Sequence, residues 1–125
     1  MNLRDMYGWM QDRIATKMPC GIGDVPSTNG NGSKPYAMIQ GITASADELA
    51  FMRNAMHDEI IQVSSVGNTA EQALWAQEMV REVLQNTTTF PAPVVGCIMD
   101  SGGALVREDD VTYRTSDTFR VKVSI

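Results

Sequence analysis

The sequence lacks several features that would place it in a specialised class of protein. Only two of its 125 residues are cysteines. Cys20 and Cys97 lie far apart, so they form neither a closely spaced metal pair nor a dense disulfide framework, and we expect two reduced thiols. No apolar run reaches the roughly 18 residues of a membrane span, and the N-terminus has no signal-peptide pattern. We therefore expect a soluble chain that stays in the compartment where it is made.

Basic charge is also scarce. Ten lysine and arginine residues stand against fifteen acidic ones, which gives a formal net charge of −5. Such a chain has no basic field to hold a polyanion by counterion release, so nucleic acid is not expected as its primary ligand. The apolar fraction of 43% is enough for one packed core, and we predict a single domain over residues 1–125.

Two segments carry the hydrophobic period of a helix. From residue 3 to about residue 17, apolar side chains recur every three or four positions, which predicts a helix that Pro19 ends. In the second segment, Asn68 with Glu71 and Thr69 with Gln72 have the spacing of a capping box, so a helix should begin within a residue of Asn68 and run to about residue 86. Its polar positions are expected to face mostly away from the core: Glu71, Glu78, Arg81, Glu82 and Gln85.

Four further segments have the composition of strands. Residues 36–42, 59–66 and 94–99 are short apolar or β-branched runs, and residues 113–125 hold apolar side chains at odd positions, as in a strand with one buried face. The element order is α-β-β-α-β-β. The predicted fold class is α+β: a mainly antiparallel four-stranded sheet with two helices packed on one face. We expect residues 62–66 to form an edge strand.

Two segments are predicted to be flexible loops, at about residues 20–34 and 43–58. The first is dense in glycine, proline, asparagine and serine. The second is compatible with either a helix or a long loop. Its apolar side chains, Phe51, Met52 and Met56, are adaptable in shape and either meet a partner protein or fold back onto the core.

The side chains of common catalytic sites do not occur at the required spacing. The glycine-rich segment contains neither the dinucleotide fingerprint nor the P-loop triplet. His57, Asp58 and Glu59 are adjacent, so a strand would point them to alternate faces. Ser64 and Ser65 lack the preceding glycine of a nucleophile elbow, and the acids at 108–110 lack the alternating ligands of a calcium loop. We expect no enzymatic activity, no cofactor and no metal.

The centre of the chain carries a distinctive phrase. Residues 62–67 read Gln-Val-Ser-Ser-Val-Gly and lead into a helix with a Gln-Ala pair at 72–73, Ala76 and a Val-Arg pair at 80–81. This strand-to-helix junction resembles that of the tail terminator proteins of long-tailed bacteriophages, also called tail completion or head-tail joining proteins. Flanking parts of the chain resemble the family too: Pro35-Tyr36 before the first strand, and Gly102-Gly103, residues 106–108, Tyr113 and residues 119–123 in the C-terminal hairpin.

The resemblance implies a structural protein of the virion. Proteins of this family form a ring, commonly of six subunits, on the head-proximal end of the finished tail tube. The ring stops further addition of tube protein and presents the surface that joins the head, and its subunits share the fold of the tube protein. The implied partners are copies of the chain itself, the major tail tube protein and head-tail connector or neck proteins, with DNA only in transit through the lumen and no membrane. Assembly would take place in the host bacterial cytoplasm.

Within this interpretation, the segment at 43–58 is the candidate contact surface. Phe51, Met52, Arg53 and Met56 are expected to touch the tail tube or a neighbouring subunit. Three other functions remain open from the residues: another head-tail connector, a small cytoplasmic enzyme that pairs His57 with an acid, and a ligand-binding module of the bacterial host.

Overall fold

The computed structural model describes residues 3–23, 35–43, 56–85, 90 and 94–124. Two helices and six strands lie within them. In chain order they are α1 (Leu3–Ala15), β1 (Cys20–Ile22), β2 (Tyr36–Thr43), β3 (Met56–Gly67), α2 (Ala70–Gln85), β4 (Val94–Ser101), β5 (Val106–Asp109) and β6 (Thr112–Ser124). The strands form one sheet in the order β1-β2-β3-β6-β4, and β5 also pairs with β6.

The sheet confirms the α+β class but corrects its details. It has six strands instead of four, and it is mixed because β1 pairs in parallel with β2, whereas the other pairs are antiparallel. The predicted loop at 20–34 was wrong at its start, since Cys20 to Ile22 form β1. A strand of three residues that includes a glycine has no period for sequence analysis to detect.

Strand β3 lies at the centre of the sheet, between β2 and β6. The expectation of an edge strand at 62–66 was therefore wrong. The strand is also longer than predicted: it begins at Met56, so residues 56–58 belong to a strand and not to the predicted loop. Its backbone pairs with β6 from Met56, opposite Ser124, to Gly67, opposite Tyr113. This central ladder fixes the position of everything attached to β6.

Helix α2 begins with the predicted capping box. Gln72 donates its backbone N–H to the Thr69 hydroxyl at 3.1 Å, and the Asn68 backbone N–H donates to Gln72 Oε1 at 2.6 Å. Two amide donors at the helix start are thereby satisfied without other partners. Gly67 permits this tight junction, because a Cβ atom there would stand 2.6 Å from the Ala73 backbone nitrogen.

Both helices pack against the odd-numbered side of the sheet. Met6, Met10 and Ile14 of α1 and Val80 and Leu84 of α2 are buried in one cluster. The strands add residues at alternate positions, as expected for a sheet with one covered face: Ala37, Ile39, Ile61, Val63, Phe119 and Val121. The even-numbered side, here called the open face, lies opposite the helices.

Several polar side chains are also buried at the covered face, and the sequence pattern did not predict their burial. Thr115 and Asp117 of β6 are almost fully buried, as are Ser65 and Gln77. Conversely, Leu74 of α2 is apolar but exposed. The buried polar residues of β6 lie near the N-terminal half of α2, where they form the site described next.

Candidate assembly site

Strands β4 and β5 together form one interrupted strand along β6. Residues 118–123 of β6 pair with β4, and residues 112–114 pair with β5. Residues 115–117 of β6 therefore lie opposite the break, which contains Gly102 and Gly103. Gly103 approaches β6 so closely that a Cβ atom would collide with the Ser116 carbonyl group. Only glycine fits at this position without moving the backbone.

Asp117 holds the break in place. Its Oδ1 accepts hydrogen bonds from Gln77 Nε2 at 2.9 Å, from Arg81 Nη2 at 2.9 Å and from the Gly103 backbone N–H at 3.1 Å. Its Oδ2 accepts from Arg81 Nε at 2.7 Å. Gln77 Nε2 also donates to the Gly103 carbonyl oxygen at 3.2 Å. We call Gln77, Arg81, Gly103 and Asp117 the clamp.

The elements supply the clamp residues for simple geometric reasons. Gln77 and Arg81 are four positions apart on α2, so both reach the same side of the helix. Asp117 occupies an odd position of β6 and so points towards α2. The Asp117 side chain is 2% exposed and that of Arg81 is 38% exposed. A buried carboxylate is tolerated here because donors occupy both of its oxygens.

The electrostatics of the clamp agree with this geometry. The hydrogen bond from Arg81 to Asp117 and the attraction between their charges raise the pKa of the Arg81 guanidinium, against the opposing effect of its partial burial. Arg81 was predicted to be one of the solvent-facing residues of α2. The structure corrects this, since Arg81 reaches across to the sheet.

Beyond the break, residues 104–114 form the hairpin of β5 and the start of β6, which we call the arm. Its β6 half lies in the sheet, where Tyr113 pairs with Gly67 and Arg114 with Val66. Every residue from Ala104 to Val111 is exposed. Charges within the arm are paired: Arg114 Nε lies 3.0 Å from Glu108 Oε1, and Arg107 Nη2 lies 3.0 Å from Asp110 Oδ1. Burial, and then the charge of Glu108, raise the pKa of the Tyr36 phenol.

The arm also exposes large apolar side chains. Val111 is 60% exposed, and Leu105 and Val106 are also exposed. On β4, Ile98 is 62% exposed above Arg120 and Lys122 of the open face. At the opposite end of the sheet, Ile22 of β1 is exposed as well. Single apolar residues outside a core are ordinary. Five of the exposed ones lie on the two outermost strands and on the arm, and two more, Leu74 and Trp75, lie on α2.

The structure describes only one of the four residues predicted as the contact surface. Phe51, Met52 and Arg53 are outside the described residues. Met56 is the first residue of β3, where its backbone pairs with Ser124 at the end of β6. Their role as an interface stays a prediction. Sequence analysis missed the clamp, although the Gly102-Gly103 pair was a signal of an unusual backbone position.

The alternative chemical sites can be placed on the fold. His57, Asp58 and Glu59 are consecutive residues of β3, and their backbones pair with Val123, Lys122 and Val121 of β6. Ser64 shares a hydrogen bond of 3.1 Å with Ser116 on the open face. Across the described segments of the chain, no group of three histidine, cysteine or acidic residues could hold a metal ion.

The two cysteines are free and buried. Burial raises the pKa of each thiol to about 12. A thiol with this pKa is protonated at neutral pH and is a poor nucleophile. Neither of the two described helices has the length and apolar content of a membrane span.

Comparison with known proteins gives one informative likeness. No protein-family model and no curated protein matches the sequence. Among solved structures, a chain of the virion of a native gene transfer agent particle is similar in fold, with a TM-score of 0.63. The two sequences are 16% identical, and the match covers 93% of this chain and 84% of that chain. At this level of identity the likeness concerns the fold alone.

Proposed function

We propose that the chain is a structural protein of a phage-like virion. The observation that carries the proposal is the similarity of fold to a chain of the gene transfer agent virion, which extends over 93% of this chain. Fold alone does not fix function, so the residues must supply the finer assignment.

The finer proposal is a tail terminator. The Gln-Val-Ser-Ser-Val-Gly phrase at 62–67 and the capped helix that follows supply the family resemblance, and the structure has a central strand leading directly into α2 at that point. As a terminator, the protein would form a ring, of six copies in the family pattern, on the head-proximal end of the tail tube. There it would stop the addition of tube protein and provide the attachment surface for the head.

The form of the sheet supports assembly with further copies. Strands β1 and β4 are its outermost strands, and each carries an exposed isoleucine, Ile22 and Ile98. Backbone groups on an outer edge readily accept another chain, and a closed ring removes such edges by pairing or covering them. The remaining proposed partners are the major tail tube protein and a head-tail connector, with DNA in transit through the lumen. We propose no catalytic activity and no cofactor.

The contact surface is proposed to include residues 43–58 of a single domain. Phe51, Met52, Arg53 and Met56 would touch the tube or a neighbouring subunit. The segment joins β2 to β3, so it leaves the sheet beside Thr43 and returns at Met56. A change in this segment can therefore alter a contact while the core of the sheet persists.

A deletion of residues 45–55 tests the assignment. We expect the variant to fold, by circular dichroism and thermal unfolding, and to fail to limit tube length when it replaces the wild-type protein in the phage. Deletion of residues 26–32, in the other predicted loop, is the matched control and should leave tail length normal. Tails of normal length from the first deletion would contradict the proposed contact surface.

Removal of the whole gene separates the terminator from its nearest alternative. Overlong tails in electron micrographs would support a terminator. Normal tails without heads would contradict it and identify a neck protein instead.

A further inference from the structure

The clamp fixes the break through which the chain passes from β4 into the arm. Gly103 is held by both of its backbone hydrogen-bonding groups: its N–H donates to Asp117, and its carbonyl oxygen accepts from Gln77. Arg81 binds the same carboxylate from the same side of α2 as Gln77. Asp117 of β6 thus accepts hydrogen bonds both from α2 and from the break, and it joins the three parts of the structure.

We infer that Asp117 is a positioning residue for assembly: it sets the direction of the arm, and the arm is the element that contacts the next copy of the chain. The inference rests on the proposed ring and adds the residues that would make its joint. The tail-terminator resemblance includes Arg81, Gly103 and residues 106–108 but gives them no role, and the predicted interface at 43–58 contains none of the clamp or arm residues.

A charged aspartate is needed because of the number of donors it meets. Its two oxygens accept four hydrogen bonds from Gln77, Arg81 and Gly103. An asparagine has one oxygen and presents an NH2 group in place of the other, which would face the donors of Arg81 or Gln77. The change Asp117→Asn therefore keeps the volume of the side chain but places an N–H donor opposite another donor.

The arm is suited to a contact with a second copy. Its charges are largely paired within the arm, so burying it against a neighbour leaves few ionic groups without partners. Leu105, Val106 and Val111 provide apolar area. The arm lies on the β4 side of the sheet, and β1, with the exposed Ile22, lies on the other side. Copies placed side by side in the same orientation bring these two sides together.

Order of the arm before contact would favour assembly. A flexible arm must lose conformational freedom when it docks, whereas an arm already held at its base loses less. The clamp provides this order at a position away from the contact itself. Loss of the clamp should therefore weaken assembly without removing any residue of the interface.

Two variants separate positioning from contact. In Asp117→Asn, we expect amide hydrogen exchange in residues 104–111 to become at least ~tenfold faster, and rings formed alone or on tail tubes to become fewer. In Val106→Ser, which changes an exposed side chain, we expect exchange to be unchanged and rings again to be fewer. Asp12→Asn is the matched control, because Asp12 is an exposed carboxylate of α1, outside the clamp, the arm and the two outermost strands, and it should change neither readout.

If Asp117→Asn does not fold, Gln77→Leu replaces it, since this change removes the donor to Gly103 but keeps the ion pair. Two results would overturn the inference: exchange in the arm that does not respond to loss of the clamp, or a loosened arm in a protein that still forms rings at the wild-type level. Wild-type protein that forms no ring, alone or with tubes, would overturn the proposed function itself. Rings of wild-type protein together with failed rings of both variants support both proposals.

Discussion

Arg81 and Asp117 are 36 positions apart in the sequence, yet Arg81 Nε lies 2.7 Å from Asp117 Oδ2. The two sides of this pair are not equivalent. Asp117 is almost completely buried, whereas Arg81 keeps contact with solvent. Removing the arginine leaves a buried charge, and removing the aspartate leaves an arginine that water can reach.

This asymmetry predicts different effects on stability. Arg81→Ala should lower the free energy of unfolding by about 2–3 kcal/mol, below the usual cost of breaking a fully buried pair because Arg81 is partly solvated. The double change Arg81→Ala with Asp117→Asn should cost less than the sum of the two single changes. Urea unfolding of all three variants measures the coupling. Strict additivity would show that the pair does not act as a unit.

Two glycine-to-alanine changes should have opposite signs. Gly103→Ala places a methyl group against the Ser116 carbonyl, and we expect a loss of stability of about 1–3 kcal/mol. Gly8→Ala lies within α1, where a Cβ atom meets nothing within 4 Å, and should raise stability by about 0.5–1 kcal/mol because alanine favours the helix. Thermal unfolding of both variants provides the comparison, and a stable Gly103→Ala protein would contradict the close approach.

Thr115 carries a buried hydroxyl that has no hydrogen-bond partner among the described residues. Thr115→Val replaces this hydroxyl with a methyl group of similar size. We expect stability to rise by about 1 kcal/mol, since the unsatisfied polar group is removed. Thr115→Ser keeps the hydroxyl and loses the methyl group, so it should reduce stability. Chemical denaturation distinguishes them, and a destabilised valine variant would indicate that the hydroxyl has a bound water.

The buried thiols predict a loss of stability at high pH. The pKa of Cys20 and of Cys97 is raised from 9.0 to about 12 by burial. Below pH 9 both the folded and the unfolded chain hold the thiol protons. Between about pH 9 and pH 12 the unfolded chain releases protons that the folded chain keeps, so the free energy of unfolding falls as pH rises, by up to about 1.4 kcal/mol per pH unit for each thiol.

Unfolding measured from pH 8 to pH 11 checks this expectation. Cys97→Ala should be less stable at pH 8 but should lose less stability over the same range. Equal slopes for the variant and the wild-type protein would contradict the assignment to Cys97. Alkylation at pH 8 should be slow in the folded protein and fast after unfolding.

Local patterns in the sequence predicted much of the fold. The strand at Tyr36, the β-branched run of β3 and the capping box of Thr69 and Gln72 are each determined by neighbours in the chain. The structure contains all three, but β3 is longer than predicted and lies at the centre of the sheet instead of at its edge. It also places Met6 and Met10 in the core, as their helical spacing indicated.

The clamp could not be predicted in the same way. Asp117 breaks the apolar alternation of β6, and its partners Gln77 and Arg81 are 40 and 36 positions away in the sequence. Nothing in the local pattern distinguishes Arg81 from the solvent-facing residues of α2. The pairing arises only when β6 and α2 pack together, so it depends on tertiary structure.

The parallel pairing of β1 with β2 has a consequence for polarity. Strands alternate in direction from β2 through β3 and β6 to β4, so the two outermost strands, β1 and β4, run in opposite directions. Were identical copies to stand upright in a circle, each seam would bring antiparallel backbones together, a favourable geometry for hydrogen bonding. Such a circle has two rims that differ in chemistry. One rim could bind the growing end of a tube, while the other offers no binding surface for a further ring of tube subunits.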